Sequence, residues 1–378
     1  MNRRETERLL EAIRGVQAAG GRAALATIVR VRGSAYRREG ARVLVREDGS
    51  YECLLSGGCL EPAVAEAAAA VIATGTPSLR QYDLEDDSVW SLGIGCTGEV
   101  DILIERVEDD ALWRTWLERL GRAEPVARVA PLAGGAGHLV VGADGSFGSL
   151  GSPALDREAS GRARTRLAAP FPQSGLERIG ATELFVDVSG RPPELVMFGA
   201  GPDAEPLARL AWDLGFAVTV VDPREAFLSA ERFPHTTLVT AHPDTLPSRV
   251  TLTPRTSVVI LNHHLERDRA ALRFALDSRA PYIGALGPRS RFHKLLEGLK
   301  AEGYEPRPEA LARVRSPVGL ALGAETPEEI AVSILGEIIA VQRGFGGEFL
   351  GGREGSLHRP PEIAEIRGDG GDGGKRSF

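Results

Sequence analysis

The sequence predicts an α/β protein in two parts: an N-terminal α+β domain with a degenerate internal repeat, then a Rossmann-like domain with a doubly wound parallel sheet. Three observations predict this class. Apolar runs of strand length alternate with helical patterns along the chain. One hairpin pattern occurs twice before residue 190. Beyond it, a buried strand leads through a glycine turn into a helix, as in dinucleotide-binding folds.

These patterns place the domains at residues 1–190 and 194–345, joined by a short Pro- and Gly-containing linker. Residues 349–378 are expected to form a disordered tail, because residues 368–374 contain only glycine and aspartate.

Composition narrows the functional classes. The 378 residues are 43% hydrophobic and 26% charged, which is ordinary for a globular protein. A net charge of −7 argues against nucleic acid as the main partner, since phosphate binding requires a basic surface. Three cysteines are too few for a disulfide framework. No secretory h-region and no apolar run of about 20 residues is present, so we expect a cytoplasmic protein with no membrane partner.

The first domain is expected to open with a helix and continue as a sheet with further helices. Leu9, Ile13 and Val16 form an apolar stripe on the first helix. Asp48-Gly49 is typical of a hairpin turn, and Gly75 is expected to end the second helix. The predicted elements are residues 5–19, 23–31, 42–45, 51–55, 63–74, 78–83, 100–104 and 110–120.

The turn before the second helix carries the most distinctive residues, Ser56-Gly57-Gly58-Cys59. Gly57 and Gly58 permit a tight turn or the close approach of a ligand. Pro62 suits a first helical turn, so Cys59 is expected at the helix N-terminus, where partial positive charge and free amides favour the thiolate. Such a cysteine can be a metal ligand, a sulfur carrier or a nucleophile. The alternative is a small buried residue in a tight turn.

A degenerate repeat bears on this choice. Residues 137–146 match residues 41–50 in their apolar positions and in an Asp-Gly-Ser turn. The same register places residues 152–155 opposite the Cys59 turn. The second copy has neither Gly-Gly-Cys nor a counterpart of Cys96, which lies on a glycine-rich loop of its own. Features needed only to turn the chain would be expected in both copies, so the difference favours function. The alternative is coincidence between two ordinary hairpins.

The second domain begins with a dinucleotide-binding pattern. A buried strand, residues 194–198, precedes Gly199 and Gly201, and Ala204 takes the position of the third glycine. A helix and a second strand follow, ending in Asp222, about 20 residues past the glycines. This arrangement brings a phosphate to a helix N-terminus and lets Asp222 hold a ribose 2′-hydroxyl.

Later strands of this domain end in polar segments. His263 and Asp268 follow a strand at the edge where open α/β sheets bind ligands, and either can ligate a metal or transfer protons. The alternative for them is a hydrogen-bonded loop histidine and a helix-capping aspartate. Gly284 belongs to another glycine loop after a strand, and Arg289 in that loop can meet an anion.

These motifs together resemble the XdhC/CoxI family of xanthine dehydrogenase accessory factors, over about residues 20 to 345. The matching stretches are residues 33–42, 56–61, 93–96, 198–201, 263–268, 282–287 and 317–337. The resemblance implies a cofactor chaperone rather than a metabolic enzyme. Such proteins bind molybdenum cofactor (molybdopterin), hold it while a cysteine desulfurase replaces an oxo ligand with sulfur, and deliver it to an apo molybdenum hydroxylase.

Roles for individual residues follow from that resemblance. Cys59 offers a soft thiolate for molybdenum or for sulfur transfer, and Cys96 is a second contact. Arg37, Arg38 and Arg42 are expected to clamp the pterin phosphate. The Rossmann-like half is expected to bind the pterin, its nucleotide form or a separate nucleotide, and the protein is expected to be a homodimer.

Two other hypotheses stay open at this stage. One is an NAD(P)-dependent oxidoreductase that uses residues 199–222, with His263 as its candidate acid or base. The other is an assembly scaffold that binds only the client hydroxylase.

Overall fold

The computed structural model describes residues 1–84, 98–132 and 137–352. The predicted Cys96 contact and the tail beyond residue 352 lie outside the described residues. Nowhere in the described ranges does a helix combine the length and apolar character needed to cross a membrane.

The chain opens with helix α1 (Arg3–Ala18) and a five-stranded antiparallel sheet, sheet A. Its strands are β1 (Ala23–Gly33), β2 (Arg42–Arg46), β3 (Tyr51–Glu52), β4 (Ser78–Asp83) and β5 (Gly98–Arg106), in the order β3-β2-β1-β5-β4. Helix α2 (Glu61–Thr74) connects β3 to β4 and packs on one face of the sheet. A left-handed Gly75 ends α2, as the sequence predicts.

Sheet B repeats this arrangement. Helix α3 (Ala111–Gly121) leads into β6 (Val126–Pro131), β7 (Leu139–Gly142), β8 (Gly145–Gly148), helix α4 (Pro153–Leu167), β9 (Gly175–Ile179) and β10 (Thr182–Ser189). The strand order β8-β7-β6-β10-β9 is that of sheet A, strand for strand, and α4 takes the place of α2. The predicted internal repeat is therefore confirmed.

The two sheets pack against each other through the faces that α2 and α4 leave open. Leu25 and Leu44 of sheet A share an apolar cluster with Val126 and Val140 of sheet B, and residues of α1 and α3 complete it. Trp116 of α3 is fully buried there. Side chains of β1 and β5 alternate between this interior and the α2 side, which explains why both strands are apolar on each face.

The C-terminal part is a six-stranded parallel sheet, sheet C, in the order β13-β12-β11-β14-β15-β16. The strands are β11 (Glu194–Phe198), β12 (Ala217–Asp222), β13 (Thr237–Thr240), β14 (Thr256–Ile260), β15 (Tyr282–Ala285) and β16 (Val314–Arg315). The helices are α5 (Ala204–Asp213), α6 (Leu246–Arg249), α7 (Leu265–Leu276), α8 (Arg289–Ala301), α9 (Pro308–Leu311) and α10 (Pro327–Arg343). Apolar clusters cover both faces of the sheet, which confirms the doubly wound class.

Helix α1 contacts both halves of the chain. Its apolar face packs between sheets A and B, while Arg4 lies over the Trp212 ring of α5 at 3.8 Å from the ring centroid. Trp212 in turn stacks on His235, with 4.1 Å between ring centroids. The first helix therefore links the repeat domain to sheet C.

Candidate functional site

Ser56 organises the turn that carries Cys59. Its Oγ accepts hydrogen bonds from the amides of Gly58, Cys59 and Leu60, each at 3.1 Å. The same hydroxyl donates to the carboxylate of Glu61, whose other oxygen accepts from the amide of Ser56 at 2.8 Å. Three consecutive amides and one carboxylate thus converge on a single side chain, which holds the turn in one conformation.

The Glu61 carboxylate is fully buried at the start of α2. Burial alone would raise the pKa of Glu61, but the hydrogen bonds from the Ser56 side chain, the Ser56 amide and the Leu55 amide outweigh burial and lower it. Glu61 is therefore ionised and acts as the anchor of the turn rather than as a group presented to a ligand.

Cys59 differs from expectation in one respect. Helix α2 begins at Glu61, and the amides of residues 58–60 are already bonded to Ser56, so they are not free to stabilise a thiolate. The thiol itself is half-buried against an apolar cluster that includes Ala35 and Leu60. Within the described residues its sulfur makes no hydrogen bond.

Two described connections meet at one end of sheet A, which we call the Cys59 edge. The loop between β1 and β2 carries Tyr36, whose side chain is 63% exposed, next to the buried Ala35. The turn before α2 carries Cys59 and the exposed Leu54. Strands β4 and β5 also reach this end, where Asp83 pairs with Glu99 and Gly98 pairs with Gly33 at the end of β1. Cys96 lies outside the described residues, so its contact stays a prediction.

Cys53 is a third thiol of different character. It is buried, adopts a left-handed backbone (φ 69°), and its sulfur contacts the Glu5 carbonyl oxygen at 3.6 Å. Burial raises the pKa of Cys53 to about 11. Cys53 is therefore a core residue that links α1 to sheet A.

The arginines expected to clamp a phosphate are engaged within the protein. Arg37 makes a bidentate ion pair with Glu5, with N–O distances of 2.6 and 3.0 Å. Arg42 is 2% exposed and pairs with the equally buried Asp187 of sheet B. Arg38 pairs with its neighbour Glu39. The placement of Arg42 makes it a junction between the sheets and leaves it no exposed face for a ligand.

The second copy of the repeat keeps the carboxylate anchor and omits the cysteine. Asp156, in the first turn of α4, accepts from the Leu150 amide at 2.7 Å and from the Ser149 hydroxyl at 2.8 Å. Asp156 thus corresponds to Glu61, one residue away from the register that the sequence predicts. The position equivalent to Cys59 is Ala154. The anchor is therefore architectural, and the thiol is the addition specific to the first copy.

The Rossmann-like part presents a crevice at the carboxyl ends of β11 and β14, where the strand order reverses. Gly199 ends β11 with φ 120°, and a Cβ there would lie 2.5 Å from the Leu261 carbonyl oxygen, so only glycine fits. Gly201 has no such restriction, and its missing side chain leaves space beside Asp203 and His263. The predicted glycine turn and the predicted His263 therefore lie together.

The Asp222 carboxylate also contacts this glycine turn, on its buried side. It is fully buried and accepts from the Ala200 amide at 2.9 Å and from Arg224 through three N–H groups. Burial would raise the pKa of Asp222, but the bonds from Arg224 and Ala200 lower it. Arg224 covers the carboxylate, and the sequence analysis did not identify it as a site residue. Its position two residues after the acid that ends β12 is the sequence feature that could have indicated this role.

His263 adopts a left-handed backbone conformation (φ 57°), and its Nε2 lies 2.7 Å from the Asp203 carboxylate. Its side chain is 59% exposed, whereas that of Asp203 is 22% exposed. The loop after β14 and the glycine turn after β11 thus contribute one member each to a carboxylate–histidine pair at the opening of the crevice. Histidine tolerates this backbone region better than most residues.

Asp268 and Arg289 are not brought together with His263 as ligand groups. Asp268 is buried and accepts from the Asn262 amide and side chain, both at 3.1 Å. Its second oxygen pairs with Arg291 at 2.6 Å. Arg289 is exposed at the first residue of α8. Asp268 therefore fixes the loop before α7 through Asn262 and Arg291, and it does not cap that helix, whose N-cap residue is His264. The anion-binding role of Arg289 stays a prediction.

Gly284 lies inside β15 rather than on a ligand loop. A Cβ there would meet Val318 Cγ2 at 2.4 Å, so glycine is needed for packing. The neighbouring Tyr282 hydroxyl donates to Glu337 of α10 at 2.6 Å. Burial is the largest cause that raises the pKa of Tyr282, and the Glu337 carboxylate raises it further. Across the described ranges, no three His, Cys, Asp or Glu side chains are grouped in a way that would hold a metal ion.

The fold and the two sites define a class: a duplicated, cysteine-bearing α+β domain joined to a Rossmann domain. Residues 195–338 match the model of the XdhC Rossmann domain, and residues 16–83 match that of the XdhC and CoxI family. The chain belongs to the XdhC and CoxI family, as the resemblance in the sequence indicates.

Individual relatives extend this finding over most of the chain. A probable xanthine dehydrogenase subunit of Bacillus subtilis is 36% identical over 330 residues, covering 85% of this chain and 93% of that protein. The molybdenum cofactor insertion chaperone PaoD of Escherichia coli is 26% identical over 327 residues, covering 85% and 84%. A crystal structure described as a xanthine dehydrogenase from Bacillus halodurans shares 30% identity with a TM-score of 0.70, covering 89% of this chain and 96% of that one.

Proposed function

We propose that this protein binds molybdenum cofactor at the Cys59 edge of sheet A, supports its sulfuration, and inserts it into a xanthine dehydrogenase-type molybdenum hydroxylase. One observation carries the proposal. Both copies of the repeat anchor their turn with a carboxylate, yet only the first places a half-exposed thiol on it. A residue that the architecture does not require is available for cargo.

The chemistry of the turn suits such a cargo. A thiolate is a soft ligand that binds molybdenum or carries sulfur, and Cys59 is the accessible thiol of the two that the structure describes. Gly57 has open space in front of its Cα, which permits close approach of a ligand to the backbone. The exposed Tyr36 ring on the neighbouring loop offers a stacking surface for a pterin. Cys96 is proposed as a further contact.

Retention of the cofactor tests this proposal. Purified protein is incubated anaerobically with molybdenum cofactor, passed through a desalting column, and assayed for pterin fluorescence and for molybdenum. Wild type and Cys53→Ala are expected to retain both, whereas Cys59→Ala loses them. The proposal fails if wild type retains neither, or if Cys59→Ala retains as much as wild type.

The same proposal names the protein partners. The apo hydroxylase and a cysteine desulfurase are expected to bind at the Cys59 edge, because transfer requires direct access to the cargo. Pull-down of each partner with cofactor-loaded protein tests this, with Leu54→Asp as the variant expected to weaken capture. A homodimer stays a proposal, and light scattering after size exclusion measures it directly.

A second candidate function concerns the crevice of sheet C, where we propose that a nucleotide or the pterin binds. The observation in favour is the exposed His263–Asp203 pair beside the glycine turn, at the edge where this sheet class binds ligands. If the ligand is NAD(P), His263 is the group placed for proton transfer in an oxidoreductase reaction. Calorimetric titration with NAD(H) and NADP(H) tests it, and absence of binding removes the oxidoreductase.

A further inference from the structure

We propose that Arg224, rather than the Asp222 carboxylate, contacts the ligand in the crevice of sheet C. Arg224 would select a ligand that places a phosphate monoester at the carboxyl end of β12, the corner of the crevice that these two residues form. The inference rests on the ligand proposed above for this domain. It reassigns the role that the sequence pattern gives to the acid at the end of β12.

The Asp222 carboxylate has no acceptor capacity left for a ribose hydroxyl. Its Oδ2 accepts from the Ala200 amide at 2.9 Å and from Arg224 Nη2 at 2.8 Å. Its Oδ1 accepts from the Arg224 amide at 2.8 Å and from Arg224 Nε at 2.9 Å. Each oxygen thus has two donors, and the side chain is fully buried. A ligand hydroxyl would have to displace a charge-assisted bond to reach it.

Arg224 is held in place but keeps one edge free. Two of its guanidinium nitrogens bind Asp222, and its plane lies over the Phe227 ring, 3.9 Å from the centroid. The third nitrogen, Nη1, makes no hydrogen bond within the described residues, and the side chain is 37% exposed. A guanidinium fixed on two sides loses little entropy when the free edge binds an anion.

The other arginine at this corner is fully used. Arg232 donates to the carbonyl oxygens of Phe227 and Ala200 at 2.7 and 2.9 Å, and pairs with Glu205. Arg232 therefore fixes the segment after β12 to the glycine turn, and the free cationic edge belongs to Arg224.

The chemistry that recognises this edge is a dianionic phosphate monoester, which forms charge-assisted hydrogen bonds that a neutral diol cannot match. Two proposed ligands carry one: NADP on its adenosine ribose, and the pterin on its side chain. Both also offer a planar ring system. The two sources are separated by testing each with its own dephosphorylated counterpart.

The experiment is isothermal titration of full-length protein with two matched pairs. One pair is NADP⁺ and NAD⁺. The other is the oxidised pterin released from molybdenum cofactor, before and after phosphatase treatment. We expect wild type to bind the phosphorylated member of one pair about tenfold more tightly, which corresponds to one charged hydrogen bond. The pair that shows this preference identifies the source.

Variants assign the preference to the arginine. Arg224→Ala and Arg224→Gln are expected to reduce the ratio to about one, and Arg209→Ala, an exposed arginine on α5, to leave it unchanged. The glutamine variant retains a donor toward Asp222, and thermal unfolding checks that each variant is folded. Equal binding within both pairs, or a preference that persists in both Arg224 variants, overturns the inference alone. Failure of all four ligands overturns both the inference and the crevice ligand, and leaves the Cys59 proposal intact.

Discussion

Arg42 and Asp187 form a buried ion pair, 2.6 Å between Nη2 and Oδ2, that joins sheet A to sheet B. His138 and Glu105 make the reciprocal contact at 2.6 Å. Arg42 opens β2 and His138 directly precedes β7, its repeat counterpart. The two carboxylates occupy equivalent positions in the repeat. Glu105 of β5 pairs in register with Leu25, the third residue of β1, and Asp187 of β10 pairs with Arg128, the third residue of β6. Each copy of the repeat thus supplies a basic residue to the carboxylate of the other copy. The two copies therefore contact each other through a pair of equivalent interactions.

Removing one member of the Arg42–Asp187 pair should be costly. We expect Asp187→Asn to lower the free energy of unfolding by about 3 to 5 kcal/mol, because Arg42 would remain buried with its charge uncompensated. The double variant Arg42→Met, Asp187→Leu should recover most of that loss, since neither charge is then buried. Urea denaturation measures all three proteins. A double variant less stable than Asp187→Asn would contradict this explanation.

Glu105 should contribute a pH-dependent part of stability. Burial opposes ionisation, but Arg128 and His138 hold the pKa of Glu105 at about 2, below its ordinary value of 4.5. The folded state therefore binds fewer protons than the unfolded state between these values, so the contribution is complete above pH 4.5 and is lost as the pH falls toward 2. Chemical denaturation of wild type and Glu105→Gln should show a difference that shrinks across this window. A difference independent of pH would contradict it.

The two described free thiols should differ in reactivity. Cys53 is buried, with a pKa raised to about 11, whereas Cys59 is partly exposed. Iodoacetamide near pH 8 is expected to modify Cys59 and to spare Cys53 in the folded protein, because the thiolate is the nucleophile. Peptide mass spectrometry reads both sites. Guanidinium chloride should make the two react alike, and modification of Cys53 at the rate of Cys59 without denaturant would refute the assignment.

Substitutions at the two neighbouring glycines of the Cys59 turn should distinguish an effect on folding stability from an effect on cofactor binding. Gly58 has φ 107°, so Gly58→Ala is expected to cost about 1 to 2 kcal/mol of folding stability. Gly57 has open space and no such backbone, so Gly57→Ala should leave stability within about 0.5 kcal/mol. If the cofactor approaches the Gly57 backbone, this folded variant should nevertheless retain less of it. Unchanged retention would place the cargo elsewhere.

Much of the fold was predictable because its signals are local. Hairpin turns, a glycine ending α2, and the strand–turn–helix unit at Gly199 each act within a few residues, and the structure has them. The repeat was predictable because apolar alternation survived in both copies. The internal partners of the candidate residues were not. Asp187 lies 145 positions from Arg42 in the sequence, and no local pattern indicates such a pair.

The sequence by itself therefore determined the fold class, the family, and the turn on which Cys59 stands, since these depend on periodicity and on short motifs. Tertiary structure decided which polar residues are free. It committed Arg42 and Arg37 to ion pairs, turned Asp222 inward onto Arg224, and bound the amides around Cys59 to Ser56. Burial and pairing are properties of distant segments brought together, so only the folded chain fixes which side chains remain available to a ligand.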